Sequence, residues 1–186
     1  MPTSPRTTRG VPVLNKFVPR SSRGFTLIEM LVVLAIVSIL AGLITVAVMA
    51  AKKASKIKFT EAKIKLIEGY ILSYHTDFND YPRSAGEDPV LGNERLLEQL
   101  RTEDKNGPYL KMSEVKTVDS NGNGLPEIAD EFNQPLQYLY KADYNRAKPN
   151  RDSYRLWSIG PDGVSDPMNP GSDDILNWDK TKPDAD

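Results

Sequence analysis

An α+β fold, with one long N-terminal helix laid against a small antiparallel sheet, is predicted by three observations. An unbroken apolar run over residues 30–51 is followed by a polar stretch in which Ile57, Ile64, Ile67, Ile71, Tyr74 and Phe78 recur at steps of three, four and seven, a helical stripe. No proline interrupts residues 25–81. The clear strand signals are confined to the later part of the chain, so helix and sheet segregate along the sequence instead of alternating. At 186 residues the chain has room for one modest domain with extensions.

The first 24 residues hold Arg6, Arg9, Lys16, Arg20 and Arg23 and no acid. They are rich in Pro, Arg, Ser and Thr without periodicity, and read as a leader, not as fold. The other 19 basic residues face all 25 acidic ones. A domain with that acidic excess is a poor partner for nucleic acid, which attracts basic surfaces. The absence of cysteine excludes a disulfide framework, a thiolate nucleophile and a Cys-ligated zinc site.

The apolar run is long enough to cross a bilayer. One acid, Glu29, stands at its start. A carboxylate at mid-helix costs roughly 2.5 to 3.5 kcal/mol on insertion scales, and less near an end, so it needs a reason. An ordinary secretory signal is cut after its apolar stretch, whereas the small residue here, Gly24, precedes it. Cleavage between Gly24 and Phe25 would remove the basic leader and keep the apolar segment. The alternative is an uncleaved signal anchor. In either case the basic flank stays inside and the remainder faces out.

The predicted helix extends over residues 25–80, about 55 residues and about 80 Å at 1.5 Å per residue, with Gly42 and Gly69 as soft points. Residues 25–51 are apolar all round, for membrane or filament core. Residues 52–80 form an amphipathic stem that lays one face on the sheet. His75, the only histidine, reads as a packing residue on that stem. Pro82 biases Tyr81 away from helical geometry and ends the helix.

Residues 81–186 make the globular part. A loop leads to a short helix over residues 93–100, broken at Lys105-Asn106-Gly107-Pro108, and residues 109–118 are ambiguous. Residues 136–140 and 154–159 read as strands that pair antiparallel across a polar connection, 143–152. Residues 127–132 form a third strand or an extended lead-in to the Asn133-Gln134-Pro135 turn.

Two acidic loops stand out. In residues 119–130, Asp119, Asn121 and Asn123 occupy the first, third and fifth places, Gly124 the sixth and Asp130 the twelfth, the spacing of a helix–loop–helix calcium loop. Pro126 and the lack of flanking helices argue against that motif, as does an aspartate where a bidentate glutamate is usual. A solvated hairpin uses the same Asn-Gly pairs. The second loop runs from Trp157 to Trp178.

At this point the chain resembles type IV pilins and the pseudopilins of type II secretion systems. Gly24-Phe25-Thr26-Leu27-Ile28-Glu29 at the mouth of an apolar helix is their processing motif. The resemblance implies a pilin-like fold and a prepilin peptidase that cuts after Gly24 and methylates Phe25. It implies a single-pass inner-membrane precursor with its N-terminus cytoplasmic and its C-terminal domain periplasmic. That subunit would be drawn by an inner-membrane assembly platform, with minor pseudopilins, into a helical homo-oligomer that drives protein export across the outer membrane. Glu29 would pair with the Phe25 amine of a neighbouring subunit. Trp157-Ser158-Ile159-Gly160-Pro161-Asp162-Gly163 and Asp173-Asp174-Ile175-Leu176-Asn177-Trp178 resemble the C-terminal calcium loop of pseudopilins. That resemblance carries calcium ligation to Asp162 and Asp174, with Asp173 and the Ile159 carbonyl beside them. Calcium suits the chemistry because it accepts six to eight oxygens in loose geometry. Pro161, Pro167 and Pro170 depart from the family pattern, and an acidic surface loop closed by tryptophan packing is the alternative. No nucleophile or phosphate-loop signature points to catalysis. A type IV pilin for adhesion, motility or DNA uptake is the second reading, ahead of a monomeric membrane-tethered calcium-binding domain and a tethered enzyme.

Overall fold

The computed structural model describes residues 24–141 and 153–179; the leader up to residue 23 and the 143–152 connection lie outside them. The chain forms two compact units, one ending at Ile44 and one beginning at Thr45.

Over its described residues the first unit is the start of helix α1 (Leu27–Phe78). Its large apolar side chains, from Phe25 through Leu43, are exposed. Among the described residues α1 is the one helix long and apolar enough to cross a membrane, and none of its most apolar window is buried. A helix apolar on every side is stable in lipid or against other apolar helices, not in water.

The second unit is built on the stem part of α1, which buries Thr60, Ile64, Ile67 and Ile71. The predicted stripe is therefore the core face, with a polar member: Thr60 Oγ1 accepts the Glu131 amide at 3.3 Å. The helix ends at Phe78, two residues before the predicted boundary at residue 80. Asn79 takes a left-handed φ of 55° and donates its amide to the His75 carbonyl at 2.8 Å, a cap that asparagine tolerates better than most residues.

Helix α2 (Pro89–Leu100) starts four residues before the predicted boundary. The Asp88 carboxylate caps it by accepting from Val90 N at 2.9 Å and Leu91 N at 3.2 Å, and Pro89 fits the first helical position. α2 lies hard on the sheet through Gly92, where a Cβ would collide with the Tyr138 carbonyl. Residues 109–118 resolve into a 3₁₀ turn, Met112–Glu114, and strand β1 (Thr117–Val118).

β1 pairs antiparallel with β2 (Glu127–Ile128), so the third predicted strand is two residues long and belongs to a separate two-stranded sheet. The main sheet has the order β3 (Gln137–Tyr140), β4 (Tyr154–Ser158), β5 (Ile175–Leu176), antiparallel throughout, with Tyr138 opposite Leu156 and Trp157 opposite Leu176. One face sends Tyr138, Tyr154, Leu156 and Ile175 into the core shared with α1 and α2. The other carries Leu139 and Trp157, with Ile159, Leu176 and Trp178 packed on them. Asn93 holds the two sheets together from α2. Fully buried, it donates Nδ2 to the Ile128 and Leu136 carbonyls and accepts the Ile128 amide at 3.0 Å.

Candidate functional site

The N-terminal end is simple in geometry. Gly24 has no neighbour that an added Cβ would touch, and Phe25 is exposed. Thr26 and Glu29 form a reciprocal cap. The Glu29 carboxylate accepts the Thr26 amide and hydroxyl at 2.8 Å each, and Thr26 Oγ1 accepts the Glu29 amide at 3.3 Å. Within one subunit Glu29 thus satisfies helix donors that have no intrahelical partner. The Thr-x-x-Glu pattern is visible in contiguous sequence, although the role expected of Glu29 lay only outside the subunit.

The C-terminal loop leaves β4 at Ser158 and returns at β5. Trp157 Nε1 donates to Ser165 Oγ at 3.1 Å, and the Trp178 ring meets Trp157 edge-on at 5.9 Å, closing the loop at its far end. Gly160 turns with φ 71°. An added Cβ there would meet the Asp173 backbone and lie 2.7 Å from Asp173 Oδ1, so the two ends of the loop run in near-contact. Burial, then the adjacent Asp162 carboxylate, push the Asp173 carboxyl up from its ordinary value. Asp173 Oδ1 is buried and has no hydrogen-bond partner. Asp162 Oδ1 accepts the Val164 amide at 2.8 Å, and Asp174 Oδ2 accepts the Asp166 amide at 2.8 Å. Asp162 and Asp173 are brought together, Asp174 follows directly at the start of β5, and Ile159 packs on the Trp157 cluster. Among the described residues no group of three or more acidic, histidine or cysteine side chains is placed to form a metal cage. An ion here would draw part of its shell from backbone carbonyls and water.

The 119–130 loop is organised differently. Asp119 Oδ2 accepts the Gly124 amide at 3.0 Å. Asn121 and Asn123 turn their carbonyl oxygens onto backbone amides two residues ahead. Both donate Nδ2 to Glu94 Oε1, at 2.7 and 2.8 Å. Glu127, fully buried, accepts the Ser120 amide at 2.9 Å. Burial, and then the charge of Glu94, push its carboxyl up. Asp130, the twelfth position, serves other contacts. Its Oδ1 accepts Phe132 N and Gln134 N, while Oδ2 accepts the Ser158 hydroxyl at 2.5 Å. Ser158 Oγ in turn accepts the Gly160 amide at 3.1 Å. Asp130 therefore braces the entrance of the C-terminal loop. Neither Glu94 nor the Asp130–Ser158 link was singled out by sequence, because each depends on a contact with a distant element.

Residues 19–45 match the prokaryotic N-terminal methylation motif, which spans Gly24, Phe25 and Glu29. The chain is 31% identical over 164 residues to the type II secretion system core protein G of Pseudomonas aeruginosa, covering 86% of this chain and 97% of that protein. It belongs to the type II secretion system core protein G family. Similar relatives of the same name occur in Pectobacterium carotovorum, 29% identical over 86% of each chain, and Klebsiella pneumoniae, 26% identical over 84% of this chain and 94% of that protein. No solved structure matches. As a core protein G, a major pseudopilin, the chain joins a long N-terminal helix with an apolar first half to a pilin-like α+β domain, and the similarity extends well beyond the processing motif into the sheet and its loops.

Proposed function

We propose that this chain is the principal filament subunit of a type II secretion pseudopilus, cut between Gly24 and Phe25 and methylated at Phe25. The observation that carries the reading is the 31% identity to a core protein G over 97% of that relative, joined to a methylation motif at the required place. The subunit waits in the inner membrane, with residues 25–51 in lipid and the C-terminal domain in the periplasm. It is then drawn into a helical filament with minor pseudopilins, where other copies replace lipid around the exposed apolar helix. It acts by assembly, not by catalysis. Within that filament Glu29 exchanges its cap on Thr26 for the Phe25 amine of a neighbour, so that a buried charge is paired.

The C-terminal loop binds calcium. Its hard oxygen donors, the forced Asp162–Asp173 approach and the unpartnered Asp173 Oδ1 fit a divalent cation of that class. Asp162 and Asp173 would hold it, with Asp174 and the Ile159 carbonyl completing the protein's share. A cation held by these residues would supply positive charge to carboxylates that otherwise repel. Asp130 and Ser158 keep the loop entrance in place, and the Trp157–Trp178 contact closes the far end.

The processing half is tested by mass spectrometry of the mature N-terminus, which should begin at a methylated Phe25. A mature chain that retained residues 1–24 would overturn it. For assembly, Glu29→Leu should abolish filament formation in a reconstituted system. Wild-type assembly by that variant would show that the Glu29–amine pair is not needed to build the filament.

A further inference from the structure

Directly after the apolar run, four lysines fall within seven residues: Lys52, Lys53, Lys56 and Lys58. All four are exposed, and no acid lies on the chain between Glu29 and Glu61. At 1.5 Å per residue Lys58 lies about 10 Å beyond Ala51 along the helix axis. A headgroup layer is about 5 to 8 Å deep on each side of the hydrocarbon, so lysine stems that turn back reach it. The acids that face this segment from other elements are few. Lys53 lies close enough for its charge to act on Asp173. The charge of Lys56 reaches Glu131, which is already paired with Lys63 at 2.5 Å. Lys56 Nζ also stands 5.4 Å from the centre of the Phe132 ring. No ion pair of Lys52 or Lys58 occurs among the described residues.

Processing changes the balance across the span. Before cleavage the five basic residues of the leader outnumber the four lysines. Afterwards the inner side keeps only the Phe25 amine, and the lysines dominate. We propose that Lys52, Lys53, Lys56 and Lys58 form a cationic collar that binds the anionic phospholipid headgroups of the leaflet facing the C-terminal domain, holding the processed subunit in the bilayer. This rests on the reading of residues 25–51 as membrane-spanning. The apolar helix ends where the collar begins, so the lipid surface that accommodates the one continues into the other. Basic residues beside a span each contribute to attraction by an anionic surface.

The test uses the processed full-length subunit in detergent micelles carrying equimolar phosphatidylglycerol and phosphatidylcholine, with bound lipids counted by native mass spectrometry. Phosphatidylglycerol should be retained in preference. Each Lys→Gln change should lower that preference by roughly fivefold, the factor expected for one lysine near an anionic surface. The quadruple Lys→Arg variant should keep it, and excess inorganic phosphate should leave it unchanged. Equal retention of the two lipids by wild type would overturn the collar. So would an unchanged preference in the quadruple Lys→Gln variant, or displacement by phosphate, which would mark a free-anion site. The Arg variant keeps the test decisive if the Gln variant fails to fold. Alkaline extraction of native membranes separates the two levels. A subunit released by it fails the membrane reading itself, whereas one that stays without lipid preference fails only the collar.

Discussion

The two acidic loops of the globular unit use the same residue types and solve opposite problems. In residues 119–127 the buried carboxylates bring their own donors: Asn121 and Asn123 serve Glu94, and Ser120 serves Glu127. In the C-terminal loop a carboxylate is pressed against another, and Asp173 Oδ1 is buried without a donor. Asp and Asn at alternate positions therefore do not define a cation site. What separates the loops is that Asn121, Asn123 and Ser120 supply donors to Glu94 and Glu127, whereas Asp173 Oδ1 is buried beside the Asp162 carboxylate without one.

The largest effect should come from the clamp that carries the first loop into the fold. Asn93→Leu leaves the Ile128 amide and the Leu136 carbonyl unmatched in a buried place, while the Ile128 carbonyl keeps the Leu136 amide, and should destabilise the domain by about 2 to 6 kcal/mol at roughly 1 to 3 kcal/mol per unmatched group. Urea denaturation measures it, and a loss below about 1 kcal/mol would mean that the first loop holds itself. Next comes calcium. At a hundred times its Kd it should raise stability by about 2.7 kcal/mol, and Asp162→Ala should remove most of that gain. Smaller is Asn123→Asp, which sets a carboxylate against Glu94 and should cost about 1 to 3 kcal/mol. If added calcium restored this variant more than it stabilises wild type, the first loop would also be a cation site and the contrast would break.

The smallest effect is with pH, at the junction of stem and sheet. Partial burial raises the Asp80 pKa, but the Tyr140 hydroxyl, the Tyr81 amide and Arg83 outweigh it and hold the carboxyl below its ordinary value. A lowered carboxylate contributes stability above its unfolded pKa and loses it as pH falls through the folded one. Asp80→Asn should therefore flatten the acid limb of the stability profile below about pH 4, by under about 1 kcal/mol for so exposed a group. An unchanged acid limb would assign that limb to other carboxylates.

Much of the architecture was legible because it rests on long, repetitive signals. The apolar run, the isoleucine stripe and the aromatic strands β3 and β4 each involve several residues acting alike. Short or reciprocal features were not. β5 is two residues inside an acidic loop and has no period to read. Asn93 looks like a surface residue until Ile128 and Leu136 are placed beside it, and Asp130 changes partners once Ser158 is adjacent. Two local signals stood in plain view and were passed over: Asp88-Pro89, which starts α2, and Thr26 with Glu29, which caps α1. Both are written in contiguous sequence, whereas the pairing of Asp162 with Asp173 depends on a tight turn at Gly160 that brings distant residues together.

The contrast between the loops is tested most directly by melting the full-length subunit and its Asp173→Asn variant in detergent, with calcium and with chelator. Calcium should raise the wild-type transition. In chelator the variant should melt above wild type because one of two repelling carboxylates is gone, and calcium should then add little to it. A wild-type transition that is the same with calcium and with chelator would contradict the account.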